Sequence, residues 1–164
     1  MAIFGAGSNW DGDEMKDDFF NSDNFVIGWD YNNAKDLYDA VSLLKAGDIV
    51  YLKANQVGSR TIRVKGIGIV TQTFIHCLID KGLTKEAIAD WNSFFIKIKW
   101  VVKDEFYIKI PNTEGRLTNV RAATFYEEYL PFVQKAIIEN KTKDQAYEDF
   151  KWHLEILKYG LIKE

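Results

Sequence analysis

Leu44-Lys45-Ala46-Gly47-Asp48-Ile49-Val50-Tyr51-Leu52-Lys53, followed after a polar loop by Thr61-Ile62-Arg63-Val64-Lys65-Gly66-Ile67-Gly68-Ile69-Val70, decides how this chain is read. The first stretch reads as a helix end, a turn and a strand, with Gly47 where a C-cap glycine belongs. The second alternates at Ile62 and Val64, then at Ile67 and Ile69, so its phase changes at Lys65-Gly66. A phase change at glycine predicts a bulge or a sharp bend, the device that curls a sheet into a small barrel. Such a frame points to binding before catalysis.

Outward from this core, Ala2–Gly7 and Phe25–Trp29 are strand candidates, separated by an acidic loop or short helix over 10–24. The cluster Asp30-Tyr31-Asn32-Asn33 stops the second strand, and Asn32 or Asn33 caps a helix running to Lys45. The apolar run Phe74–Ile79 reads as strand, and Thr84–Trp91 as a short helix capped by Thr84. Phe94–Val102 and Glu105–Ile110 read as an antiparallel hairpin around Lys103-Asp104. Two helices close the chain, over about 124–139 (interrupted by Pro131 or beginning there) and 143–159, the latter carrying Tyr147, Phe150, Leu154 and Leu157 on one stripe.

The 164 residues suffice for one domain with a sizeable core. No apolar run approaches the ~20 residues of a membrane span. The start lacks a basic n-region and a long h-region, and the one cysteine, Cys77, excludes an internal disulfide and any cysteine-rich zinc site. A cytoplasmic location is expected on those grounds. Charge is uneven: residues 1–48 carry ten acids against three bases, whereas residues 49–121 carry twelve bases against six acids. The sheet region is therefore basic between acidic flanks, which suits a phosphate-facing surface and equally suits lysines protecting strand edges.

Candidates for chemistry are few. His76 and Cys77, as neighbours on a strand, would point to opposite faces and could not form a thiolate–imidazole pair. His153 has no partner at metal-binding spacing. The run Asn9-Trp10-Asp11-Gly12-Asp13-Glu14 invites a calcium reading, but an EF-hand starting at Asn9 would need Gly and Glu where Glu14 and Phe20 stand. Gly5-Ala6-Gly7 lacks the third glycine of a dinucleotide fingerprint. No metal or cofactor is expected. Trp10 and Trp29 are sharper signals, since each follows a strand candidate in polar surroundings. Two indoles can sandwich a base, with Ser8 and Asn9 on its polar edge and Asp30 and Asn32 beside it. Lys53, Arg60, Arg63 and Lys65 cluster about one loop and could hold phosphates; a cap on the barrel end and a solvated strand face are the plainer alternatives.

The segments Asn33-Ala34, Leu37, Leu44–Leu52 and Val64-Lys65-Gly66-Ile67-Gly68-Ile69-Val70 together resemble the PUA-like superfamily, nearest to its EVE branch and akin to YTH and ASCH domains. Ser8 and Trp29 look like the positions where YTH-type proteins place a polar ligand contact and a cage tryptophan. The likeness covers about residues 2–110 and departs at Lys53-Ala54-Asn55, where the EVE pattern has a polar, serine-containing strand end. It implies an α+β fold, a small barrel of five to six strands surrounded by helices, to which the two C-terminal helices, not part of the pattern, are extra. The whole chain, 1–164, would be a single domain with 122–164 as a helical extension through which a homodimer could form. It also implies a pocket for a nucleobase, often a modified one, in DNA or RNA, with no chemistry by the domain itself. The function expected is non-catalytic nucleic-acid binding. The alternatives are a sensor or sponge for a free nucleotide or nucleoside, and a nucleotide- or RNA-processing enzyme using Asp11, Asp13 or Asp30.

Overall fold

The computed structural model describes residues 1–56, 58–82, 96–115 and 125–141. The helices expected over 84–91 and 143–159, and His153, lie outside the described residues. Strand β1 (Ile3–Ala6) runs parallel to β5 (Ile49–Ala54), with Ile3 opposite Ile49 and Ala6 opposite Leu52. A parallel pair needs a long crossover. Here it contains a small hairpin of β2 (Asn9–Trp10) and β3 (Asp13–Glu14), helix α1 (Lys16–Ser22), strand β4 (Asn24–Phe25) and helix α2 (Lys35–Ser42). Strand β6 (Thr61–Gln72) returns antiparallel to β5 and leads into α3 (Phe74–Lys81). Then follow β7 (Ile96–Val102), β8 (Phe106–Lys109) and β9 (Phe125–Glu127), which pairs with β1. The last helix among the described residues, α4, spans 131–141.

The result is mixed α+β, built on one sheet of order β4-β7-β6-β5-β1-β9 with β8 beside β6. β4 and β9 stand at opposite ends of that order, yet the rings of Phe25 and Phe125 stack 5.9 Å apart. The sheet therefore curls until its ends meet side chain to side chain. The bend lies where the phase change put it. Leu52 opposes Gly66 and Lys53 opposes Val64, which leaves Lys65 as the extra, bulged residue.

Both faces of the sheet are covered along β5, which is why Ile49-Val50-Tyr51-Leu52 is a continuous buried run. The concave face holds Phe4, Phe19, Phe20, Phe25, Leu52 and Trp100, and the outer face holds Ile3, Ile49, Tyr51, Ile62, Val64 and Ile67 with Val133 and Ile137 of α4. The glycine pair of β6 serves this packing. A Cβ on Gly66 would stand 2.6 Å from Phe20, and one on Gly68 2.2 Å from Ile98 and 2.8 Å from Trp100.

Several expectations are corrected. β7 and β8 do not form a hairpin together; both run antiparallel to β6, β8 against Thr61–Val64 and β7 against Ile67–Gln72. Lys103-Asp104 is thus a bend between two segments on one edge of β6, and the seven strands occupy six positions. His76 and Cys77 lie on a helix, because Thr73 caps it through the His76 N–H and Gly82 ends it at φ +58°. The strand expected over 25–29 stops at Phe25, and a 3-10 turn over Tyr31–Asn33 precedes α2, whose N-cap is Ala34 with no side-chain cap. Gly47, at φ +92°, shapes the turn into β5 instead of capping α2, which ends at Ser42 with Leu43 as its C-cap. Residues 125–127 are strand, so the segment 122–164 is not wholly helical, and α4 begins at Pro131, where a missing N–H costs nothing.

Candidate functional site

Beyond β1 the chain makes a two-residue hairpin turn. Asp11 at φ +50° and Gly12 at φ +103° supply the left-handed pair that such a turn needs, and Trp10 pairs with Asp13 across it. The Met15 N–H donates to the Ser8 carbonyl at 2.7 Å and closes the hairpin's base. The Asp11-Gly12 dipeptide is the sequence signal for this element, which the acidic-loop reading overlooks.

The hairpin carries Glu14 onto Lys65. The Lys65 ammonium pairs with Glu14 Oε2 and donates to Ser8 Oγ at 3.1 Å, while the Ser8 hydroxyl donates to Glu14 Oε1 at 2.5 Å. Ser8 is fully buried, and the Lys65 side chain is only 4% exposed against 36% for Glu14. Partial burial pushes the Glu14 carboxyl up, but Lys65 and Ser8 outweigh it and hold the group below its ordinary range.

Trp10 packs edge-to-face on Phe19, 5.8 Å between centroids, and its ring also lies against the backbone of Gly28. At φ +79°, Gly28 adopts a conformation that L side chains rarely take, and a Cβ there would lie 2.5 Å from Trp10 Cε2. Trp29 follows directly and is half exposed. Its carbonyl accepts the hydroxyl of buried Tyr38 at 2.6 Å. Burial, and then the Asp30 carboxylate, push that phenol up to about 12, so it stays a neutral donor at ordinary pH.

The structure thus brings Ser8 and Trp10 to one end of the barrel and sets Trp29 beside the residue on which Trp10 rests. Asn9 is exposed, its amide oxygen accepting the Gly12 N–H at 3.2 Å within the hairpin. Asp30 and Asn32 border Trp29 at the 3-10 turn, where the Asp30 carbonyl accepts the Asn33 N–H at 3.0 Å. The four cations have different partners. Lys53 is buried above the Tyr126 ring and reaches Asn55 at 3.2 Å. The Tyr126 hydroxyl in turn meets that of Tyr51 in the outer core at 2.8 Å. Arg60 donates to the carbonyls of Ile110 and Pro111, and Arg63 forks onto Glu105 at 2.8 and 2.9 Å. Lys65 is occupied by Ser8 and Glu14 instead of facing solvent. Glu14, Gly28 and Tyr38 are the structural contributors that sequence reasoning misses. Only Gly28, preceding a tryptophan in a polar stretch, left a visible signal.

Chemically, this end of the barrel offers an exposed indole on a clamped backbone, and a buried hydroxyl and ammonium joined to one partly exposed carboxylate. No protein-family model matches the chain, and no curated protein does. Among solved structures the chain is similar to the YTH domain of the Zygosaccharomyces rouxii MRB1 protein, solved in complex with N6-methyladenosine RNA. The identity is 16%, the match covers 85% of this chain and 86% of that one, and the TM-score is 0.48.

Proposed function

We propose that this chain is a nucleic-acid-binding domain of the PUA-like kind, related to the EVE and YTH branches, that takes one nucleobase against Trp29. The observation that carries this reading is a half-exposed indole on a backbone held from both sides. Gly28 lies under Trp10 and the Trp29 carbonyl is held by Tyr38. An aromatic platform with few conformations to lose is suited to stacking a base, worth roughly 1–3 kcal/mol. Ser8, and Lys65 and Glu14 around it, form the polar set that would read a base edge once the hairpin moves. A modified base is the finer expectation, since such pockets discriminate by the groups on that edge.

The test is fluorescence titration with modified and unmodified oligonucleotides at low salt. Quenching in the natural protein and its loss in Trp29→Ala are expected; no quenching by any oligonucleotide would end the proposal. A free nucleoside is the second reading, favoured by Asp30 beside Trp29 and by the exposed hairpin acids Asp11 and Asp13, which repel phosphate but not a neutral base. It would bind saturably with little dependence on salt, whereas an oligonucleotide shows the slope of counterion release.

A further inference from the structure

We infer, resting on the reading of Trp29 as a base platform, that the ligand is single-stranded nucleic acid whose sugar–phosphate backbone lies along the exposed face of the β6–β8 pair. In that pair Thr61 opposes Lys109 and Arg63 opposes Tyr107. Ile62, Val64 and Ile108 are buried in the outer core. Strand alternation therefore places Arg63, Glu105, Tyr107 and Lys109 on the opposite face, where all four are exposed. Tyr107 is 63% exposed, an aromatic ring standing between an arginine across the strands and a lysine two residues along. Its setting on paired strands gives a rigid stacking surface with cations for phosphates on either side.

The charge pattern favours this occupant. Glu105 is the one acid among these four, and it bridges Arg63 to Lys16 with ion pairs of 2.7 Å each. Lys16, Arg63 and Lys109 about Glu105 thus make a net positive strip, bounded on the far side of Lys16 by exposed Asp17 and Asp18 of α1 and by Asp11 and Asp13 of the hairpin. A molecule that is anionic along its length and neutral at one projecting group matches that polarity. A single strand does; a duplex would bring a second row of phosphates towards the acids. The strip also leads to the site already described. Lys65 follows Arg63 by two residues on β6, and its ammonium lies 3.1 Å from Ser8 Oγ.

The test compares a labelled mixed-sequence oligonucleotide of about a dozen nucleotides, as DNA and as RNA, with a free nucleoside. The proteins are the natural chain, Tyr107→Ala, the double variant Arg63→Gln/Lys109→Gln, and Trp29→Ala. Tyr107→Ala should weaken oligonucleotide binding by about tenfold. The double variant should lower the salt slope by about 1.4, at about 0.7 for each lost phosphate contact, and neither should change quenching by the nucleoside. Oligonucleotide binding and salt slope unchanged in both, with binding still lost in Trp29→Ala, overturns the strip and leaves the base platform standing. Weakening by the strip variants with Trp29→Ala neutral does the reverse. No binding of either oligonucleotide by the natural chain also overturns the strip, and nucleoside quenching then reports on Trp29 alone.

Discussion

Trp10 rests on Gly28, with the site a Cβ would take only 2.5 Å from its ring and the backbone there at φ +79°. This contact joins the β2–β3 hairpin to the segment that presents Trp29. Gly28→Ala should therefore both strain the backbone and lift the indole, destabilising by about 1–3 kcal/mol. Thermal denaturation and the near-ultraviolet circular dichroism of the tryptophans measure the two effects. A variant with an unchanged melting temperature and spectrum would mean that the contact is unimportant.

Tyr38→Phe removes the hydroxyl that holds the Trp29 carbonyl while keeping the ring that packs on Tyr31 and Phe74. The expected stability loss is about 1 kcal/mol. If pinning matters for recognition, affinity for the base should fall more than this variant's stability does. Equal binding by Tyr38→Phe and the natural chain would dismiss the clamp as a functional feature.

Glu14→Gln leaves the buried Lys65 ammonium without its anion. Discounted for the exposure of Glu14, the cost is about 1–3 kcal/mol near neutral pH. The carboxyl's folded-state pKa is lowered, so its contribution is present above the unfolded value of about 4.3 and is lost as pH falls through the folded value. Denaturant titrations of both proteins should therefore differ at pH 7 and converge in acid. A gap that stays constant down to acid pH would contradict the linkage.

Asp48 is buried and its two carboxylate oxygens accept the backbone N–H groups of Ala2 and Lys45, each at 2.8 Å. It ties the chain start to the turn before β5, which is what the Gly-Asp pair of that turn is for. Asp48→Ala should cost about 2–4 kcal/mol, and Asp48→Asn less because one acceptor remains. Chemical denaturation orders the three proteins; Asp48→Asn falling below Asp48→Ala would refute this account.

Gly68→Ala should destabilise by about 1–3 kcal/mol through overpacking against Ile98 and Trp100. Ile98→Ala removes the closer methyl, so the double variant should be more stable than the sum of the two single losses implies. Strict additivity would show that the core accommodates the methyl elsewhere.

Local chemistry was legible wherever one segment held the whole cause. Strands β1, β5 and β6, the break of phase at Lys65-Gly66 and the start of α4 at Pro131 follow from periodicity, glycine and proline acting on their own neighbours. The Asp11-Gly12 turn, and Thr73 and Gly82 at the two ends of α3, were equally local signals, and weigh more than the acidic or apolar composition around them. Partnership is different. Nothing near Lys103-Asp104 says that β7 and β8 share an edge of β6, because strand pairing is decided by groups far apart in the chain.

The same division holds at the site. Ser8, Trp10 and Trp29 stand out by residue type and setting, and the structure gathers Ser8 and Trp10 at one end with Trp29 close by in the chain. Lys53, Arg60, Arg63 and Lys65 look alike in sequence. Only the tertiary structure separates them, into a cation buried over Tyr126, a tie to two carbonyls, an arginine forked onto Glu105, and an ammonium enclosed by Ser8 and Glu14. The sequence alone determined a curled, bulged sheet with a tryptophan after Gly28, since backbone preference and alternation are short-range. Which charges face solvent and which are locked in pairs was decided by folding, since burial and Coulomb attraction depend on neighbours that the chain brings together only in three dimensions.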